Sequence, residues 1–349
     1  MKILWLGDFF YDYDYVTDDI KKMGDWIRKN NYNTVLNLEG TIDCSEFSKI
    51  EKRGPNLSSD KAILDVFKEL NVVAVTLANN HIMDYGEEGL KHTISLLEEN
   101  NIKYTGAQKN LDLAIKPIVL NCNNKDIAIY SFGWNIEETI YATKNTAGCA
   151  PRNNKLIKEV LESAEGKYSR KIVCMHWGFE YNRLPMPYDI ELGHLIIDSG
   201  CDLIIGNHPH CIQPMERYEE KNIYYALGNF YFGSRRKRFC KKFSEKITNQ
   251  SDFGLVVEYD TDCNETTEYM IEYVKDKDKS KIIEVNKDVF KRLNKIRYND
   301  KGYYNEVKKS KVNINPILTT NAKSNKIKIN ILFLNYKIRR VIKSLIGKR

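Results

Sequence analysis

The run CDLIIGNHPH, Cys201 to His210, passes directly from an apolar, β-branched pattern into two histidines one residue apart. A strand that stops on Gly, Asn and His puts nitrogen donors at a sheet end, where open α/β proteins bind their ligands. The same form recurs through the first 233 residues. KILWLG, NTVLNLEG, VVAVTLANN, IAIYSFGW, KIVCMHWG and IYYALGNF are short runs rich in β-branched and aromatic residues, each closing on Gly, Asn, His or an acid. Helical patterns stand between several of them: DDIKKMGDWIRKNN, SSDKAILDVFKELN with Ser59 or Asp60 as a cap, GEEGLKHTISLLEENN and NNKLIKEVLESAEG. Strands alternating with covering helices predict an α/β protein, on this pattern alone an open sheet.

The polar residues gather at the C-terminal ends of these strands: Asp8, Asn37 with Glu39, Asn79 to His81, His176, His208 with His210, and Asn229. Of the six histidines, His92 and His194 fall in helical stretches and read as ordinary helix-face residues. The other four stand with Asp8, Glu39, Asn80 and Asn37 as nitrogen and oxygen donors without a thiolate. That set suits a divalent ion such as Mn, Fe, Zn or Mg. A carboxylate between two ions can bridge them, and ions about 3.5–4 Å apart clamp a phosphoryl centre. In an extended segment His208 and His210 share a face and reach two adjacent ions, or one ion and the substrate. Gly206 is expected to give the strand end room to turn, and Pro209 to stiffen the link. For any single histidine the plain alternative is a hydrogen-bonded strand-end residue; the ensemble favours metal.

Composition narrows the field. The chain has 349 residues, 42% hydrophobic and 29% charged, with a mean hydropathy of −0.51, enough for one large or two smaller globular domains. The eight cysteines form no CxxC pair, which argues against a disulfide framework or a Cys-rich zinc site. MKILWLGDFF lacks the form of a secretory signal, and no run reaches the roughly 20 apolar residues of a membrane span, so the expectation is a cytoplasmic protein. Residues 323–349 carry nine basic residues and no acid, against a net charge of +7, leaving the body slightly negative. Without aromatic–basic interleaving or a recognised fold motif, nucleic-acid binding is not expected. In KIRRVIKSLIGK apolar residues recur at spacings of three and four, a basic amphipathic helix suited to a peripheral site on the inner membrane face or to a protein partner's groove, or else a terminal helix packed on the body with its lysines in solvent. SRRKRFCKK, Ser234 to Lys242, offers Arg235 and Arg236 to an anionic substrate, or is a solvated charged loop. DFGLVVEYD and TTEYMIEYV read as two strands paired across Thr261 to Asn264. The expected organisation is a domain over residues 1–280, a charged helical extension over 281–322 and a basic tail over 323–349. No GxxxxGK[ST] loop is present, which weighs against an ATP-driven ligase of the usual kind.

Taken together, LGDFF with Asp8, NLEG with Asn37 and Glu39, LANNHIMDYG with Asn79, Asn80, His81 and Asp84, MHWGFEY with His176 and Glu180, GNHPH, and YALGNFYFG with Asn229 closely resemble the CapA/PgsA family. These are capsule and poly-gamma-glutamate synthesis proteins of the calcineurin-like metallophosphoesterase superfamily. The resemblance covers residues 1–233 and implies a four-layer α/β/β/α sandwich in place of an open sheet. It implies Asp8 and His210 as ligands of a first metal, Glu39 as the shared carboxylate, and Asn80, His176 and His208 as ligands of a second. His81, beside Asn80, is implied as the proton donor to the leaving group or the residue that steadies the phosphoryl oxygens, with Asn80 part of the catalytic pair. Asn37, Glu180 and Asn229 are implied substrate contacts, to which the basic segment after the last motif would add Arg235 and Arg236. The superfamily's first motif is usually D-x-H; here it is Asp8-Phe9-Phe10, so the first site is expected to be the weaker one, with Asn37 the nearest replacement ligand. The activity implied is metal-dependent hydrolysis of a phosphoester, with one or two ions per chain and an anionic phosphorylated or polyanionic substrate. The alternative is an accessory, non-catalytic or transferase-like protein of capsule or poly-gamma-glutamate synthesis.

Overall fold

A computed structural model describes residues 1–232 apart from 53, 123–124 and 135–138, and then residues 253–274 and 279–284. These lie in one compact unit, Met1–Lys311; the second unit, Val312–Arg349, lies outside the described residues, as do Arg235, Arg236 and the expected tail helix. The strands form two mixed sheets. The first runs, in spatial order, β18 (Lys279–Glu284), β17 (Glu265–Val274), β16 (Phe253–Asp260), β1 (Lys2–Phe10), β2 (Asn33–Leu38), β5 (Val72–Thr76) and β6 (Lys103–Thr105), with β15 (Asn229–Phe232) parallel to the end of β1. The second runs β13 (Met215–Tyr218), β14 (Lys221–Tyr224), β12 (Leu203–Asn207), β11 (Arg170–His176), β9 (Lys125–Gly133) and β8 (Ile118–Cys122). Two short pairs, β3 (Thr41–Ile42) with β4 (Ser58–Ser59) and β7 (Ala107–Gln108) with β10 (Gly148–Cys149), tie down connections. The β16–β17 hairpin expected from its alternation is present.

Strand alternation explains how the layers meet. Ile3, Trp5, Val35 and Ala74 of the first sheet pack against Ile127, Ile129, Ile172, Cys174, Leu203 and Ile205 of the second. Their neighbours Leu4, Leu6 and Leu36 point the other way, onto α1 (Asp18–Lys29), α2 (Ile63–Glu69) and α3 (Gly86–Glu99) through Ile27, Phe67, Leu90 and Leu97. These central parallel strands are buried on both faces, which is why they read as continuous apolar runs. A short helix, α4 (Leu111–Ala114), follows β7. On the outer face of the second sheet lie α5 (Asn154–Ser163) and α6 (Pro187–Asp198); Lys171 Nζ bonds the Leu161 carbonyl at 3.3 Å, and Gly193 approaches Ile223. Two sheets packed face to face, with helices outside, replace the open sheet that alternation alone suggested.

Three local expectations change. Ser59 caps no helix: it enters β4, its hydroxyl accepts the Tyr11 amide at 3.1 Å, and α2 starts later, at Ile63. IYYALGNF is two strands. Gly228, at φ 72°, turns the chain so that β14 stays in the second sheet while β15 joins the first. Asn229 therefore opens a strand instead of closing one. Gly206 lies inside β12 and serves packing, not turning: a Cβ there would stand 1.9 Å from the Tyr225 carbonyl oxygen and 2.7 Å from Trp177 Nε1.

Candidate metal centre

The C-terminal ends of β1, β2, β5, β11 and β12 converge at one edge of the seam between the sheets. Asp8 ends the regular pairing of β1, whose register shifts at this point against both β15 and β2. Glu39 follows β2, its amide donating to the Phe9 carbonyl at 2.9 Å. His210 lies just beyond β12. Donor atoms of Asp8, Glu39 and His210 lie within 4.8 Å of one another, and all three side chains are buried. His210 Nε2 is 3.5 Å from Glu39 Oε1, and its Nδ1 is 3.5 Å from Asp8 Oδ2. The Nδ1 is also 2.8 Å from Asn229 Oδ1, so Nδ1–H donates to the amide oxygen and Nε2 is the nitrogen turned to Glu39. Asp8 accepts the His208 amide at 3.0 Å and the Asn37 amide at 2.8 Å. Burial pushes its carboxyl above the ordinary value of 3.8, against the pull of His210 and these two donors.

The two histidines of GNHPH do not share a face of an extended segment. His208 has φ 95° and His210 φ 53°, both in or near the left-handed region, so the chain turns sharply at each. Their ring centroids are 6.1 Å apart. His208 turns toward His176, ring to ring at 4.7 Å. His176 Nε2 meets Asn80 Oδ1 at 2.8 Å, and its Nδ1 lies 3.5 Å from Asn37 Nδ2. Burial, then the neighbouring imidazoles, holds His176 and His208 well below 6.5, so both rings are neutral near pH 7. His208 is fully buried, yet neither ring nitrogen has a hydrogen-bond partner among the described residues, and Asn80 Nδ2 is likewise without one.

The NNH turn is fixed from β2. Asn79 donates to the Leu38 carbonyl at 2.7 Å and accepts the His81 amide at 3.1 Å. His81 Nδ1 lies 2.7 Å from Asp84 Oδ2. Asn37 turns its NH2 toward Asp8 and His176 and its oxygen toward Thr76 and Asn79, each at 3.4 Å, so both ends of its amide are committed to protein partners. Phe10 is buried, 5.6 Å from Phe232, whose ring sits edge-on 4.9 Å from His210. Among the described residues, the Asp, Glu and His donors that converge are those of the site lacking the histidine of D-x-H, Asp8 with Glu39 and His210.

Asp8, Asn37, Glu39, Asn80, His81, His176, His208, His210 and Asn229 are thus gathered at one place. Glu180 lies on the connection from β11 to α6, half-buried and outside the three-residue group. Composition and spacing gave no sign of Lys52, which reaches the His81–Asp84 pair from the β3–β4 connection. Cys44, Cys149, Cys174, Cys201 and Cys211 are buried free thiols, and Cys263 is an exposed one. No described helix is long and apolar enough to cross a membrane.

A family model described as "Bacterial capsule synthesis protein PGA_cap" matches residues 3–234. Among curated proteins, a "Capsule biosynthesis protein CapA" of Bacillus anthracis is 32% identical over 229 residues, 64% of this chain and 54% of that protein. A "PGA biosynthesis protein CapA" of Bacillus subtilis (strain 168) is 32% identical over 197 residues, 56% of this chain and 52% of that one. A "Probable polyglutamine synthesis accessory protein" of Mycobacterium tuberculosis is 28% identical over 209 residues, 56% and 54% of the two chains. The chain spans about half the length of the curated relatives it matches. Among solved structures, a 5'-nucleotidase precursor from Thermus thermophilus superposes with a TM-score of 0.44 at 12% identity, over 82% of this chain and 55% of that one.

Proposed function

The chain belongs to the bacterial capsule synthesis (PGA_cap) family, and from that premise we propose that it is a metal-dependent hydrolase of phosphoric esters. What carries the proposal is the buried convergence of Asp8, Glu39 and His210. Bound there, a divalent ion of the Mn, Fe, Zn or Mg class supplies Lewis acidity toward a phosphoryl oxygen and activation of water. The donor set fits such an ion. Held by its Nδ1–H bond to Asn229, His210 turns Nε2 toward a carboxylate oxygen 3.5 Å away, an arrangement that a shared cation would satisfy. His176, His208 and Asn80 are proposed to hold a second ion with Glu39 shared. The support is His208, whose buried neutral ring otherwise leaves both nitrogens unsatisfied at a cost of about 1–3 kcal/mol. The fold that accompanies this assignment is the four-layer sandwich of the metallophosphoesterase type.

His81 is proposed to deliver the proton. Asp84 accepts from Nδ1 and orients the ring, and Nε2 gives its proton to the leaving-group oxygen as the ester bond breaks. Asn80 sets the position of this turn against His176. Glu180, Arg235 and Arg236 remain proposed contacts for an anionic substrate. A second reading, an accessory protein of polyanion synthesis without turnover, is favoured by the printed name of the Mycobacterium tuberculosis relative. Hydrolysis of p-nitrophenyl phosphate and bis-p-nitrophenyl phosphate by Mn-loaded protein separates the two. The expected result is Mn-dependent turnover, with kcat lowered about 10²–10⁴-fold in His81→Asn at unchanged metal content. Metal-loaded protein inert toward both esters would sink the hydrolase in favour of the accessory role.

A further inference from the structure

We infer that Lys52 is a positioning residue for His81, acting through Asp84; the inference rests on the proposed role of His81. Lys52 lies on the connection between β3 and β4, in the polar stretch KIEKRG, yet its side chain is only 2% exposed. Its Nζ makes a short ion pair with Asp84 Oδ1 and stands 3.0 Å from His81 Nδ1 and 3.5 Å from the Asn80 carbonyl. Asp84 is wholly buried, and its second oxygen is taken by the Leu57 amide at 2.6 Å and by His81 Nδ1 at 2.7 Å. A lone carboxylate this deep would carry a large desolvation cost; the ammonium offsets it and fixes which oxygen faces the imidazole.

The contacts assign the protons. At 2.7 Å from a carboxylate oxygen, His81 Nδ1 must be the N–H donor, since a lone pair there would face an acceptor. The ammonium protons of Lys52 are then directed to Asp84 Oδ1 and the Asn80 carbonyl, so its nearness to Nδ1 follows from sharing Asp84. Lys52 and Leu57 thus hold the carboxylate in one rotamer from two sides, and the carboxylate holds the ring. The same loop is stitched down through the Asp84 carbonyl, which accepts Ile50 N at 2.9 Å and Asn56 Nδ2 at 3.0 Å. Those bonds do not involve the ammonium, so loop anchoring and ring positioning are separable by substitution at Lys52.

The test uses the full chain, with nitrogen-15 NMR of the His81 ring assigned against His81→Asn and steady-state hydrolysis of the two nitrophenyl esters with Mn. In the wild type the Nδ1 proton should give a protected, low-field resonance. In Lys52→Met it should be lost or exchange-broadened. The variant's kcat should fall about 10–100-fold, the usual effect of removing a partner one shell out, with KM within about twofold. Lys52→Met added to Asp84→Asn should cost little beyond Asp84→Asn alone, because the two act as one unit. If Lys52→Met does not fold, Lys52→Arg and Lys52→Ala with added butylammonium decide, and recovery of the resonance in either supports the assignment. An unchanged resonance in Lys52→Met, or no recovery in both substitutes, overturns it. Should the wild type hydrolyse neither ester, the proposed activity fails while the resonance still decides the role of Lys52.

Discussion

Asn229 decides which nitrogen of His210 faces the candidate ion. Its amide oxygen, 2.8 Å from Nδ1, accepts the Nδ1 proton. Asn229→Ala should therefore leave the three-residue group in place but free the imidazole to rotate and change tautomer. The expected result is Mn affinity lowered about 10–100-fold by calorimetric titration, with the far-ultraviolet circular dichroism unchanged. Affinity equal to wild type would mean that packing against Phe232 alone orients the ring. At this scale the sequence was informative about residue types and weak on geometry. Oxygen and nitrogen donors clustered at strand ends were visible, but the left-handed backbone at His208 and His210 was not, because an L-residue rarely adopts it and no glycine marks it. Lys52 was invisible for another reason: a lysine in a charged loop becomes a buried partner only when tertiary contacts bring it to Asp84.

Glu258 shows the same dependence between elements. On β16 it meets Lys2 of β1 at 2.6 Å, Tyr32 ahead of β2 at 2.5 Å and Tyr269 of β17 at 3.0 Å. Burial would raise its carboxyl, but the bonds from Lys2, Tyr32 and Tyr269 prevail and hold it below the ordinary 4.5. A carboxyl with a depressed folded value stabilises the protein above the unfolded value and loses that contribution as pH falls through the folded one. Glu258→Gln should thus lower the melting temperature at pH 7, and the gap to wild type should narrow below about pH 4.5. A gap constant from pH 7 to pH 3 would show that the carboxylate is not the source. Elements themselves were legible where their period was clean, as in α1, α3, α5 and the β16–β17 hairpin. IYYALGNF was not, since one apolar run can serve two sheets when a glycine lets the chain turn between them, and local pattern carries no sheet identity.

Across the whole molecule, the candidate centre draws ligands from both sheets. Asp8 lies near the end of one strand of the first and Glu39 follows another, whereas His176 ends a strand of the second and His208 and His210 follow its neighbour. Between those ends the sheets are held by the apolar seam of Ile3, Trp5, Ile172 and Ile205. At the rim that seam gives way to buried carboxylates and imidazoles, which are costly to desolvate without a counter-charge. An ion there would join the two layers as a cross-link absent from the unfolded chain, so its binding energy adds to stability. At 100 times its dissociation constant the gain is about 2.7 kcal/mol, which for a body of this size raises the melting temperature by roughly 4–5 °C. Chelation should remove the increment, and Mn or Zn should restore it. His210→Ala should lose most of that increment, because the histidine is the second sheet's only contribution to the Asp8, Glu39 and His210 group, and keep only what an ion with His176 and His208 supplies. A His210→Ala protein that keeps the full wild-type gain from Mn would place the stabilising ion with His176 and His208 instead. That outcome would make the Phe10 departure the decisive feature of the first site.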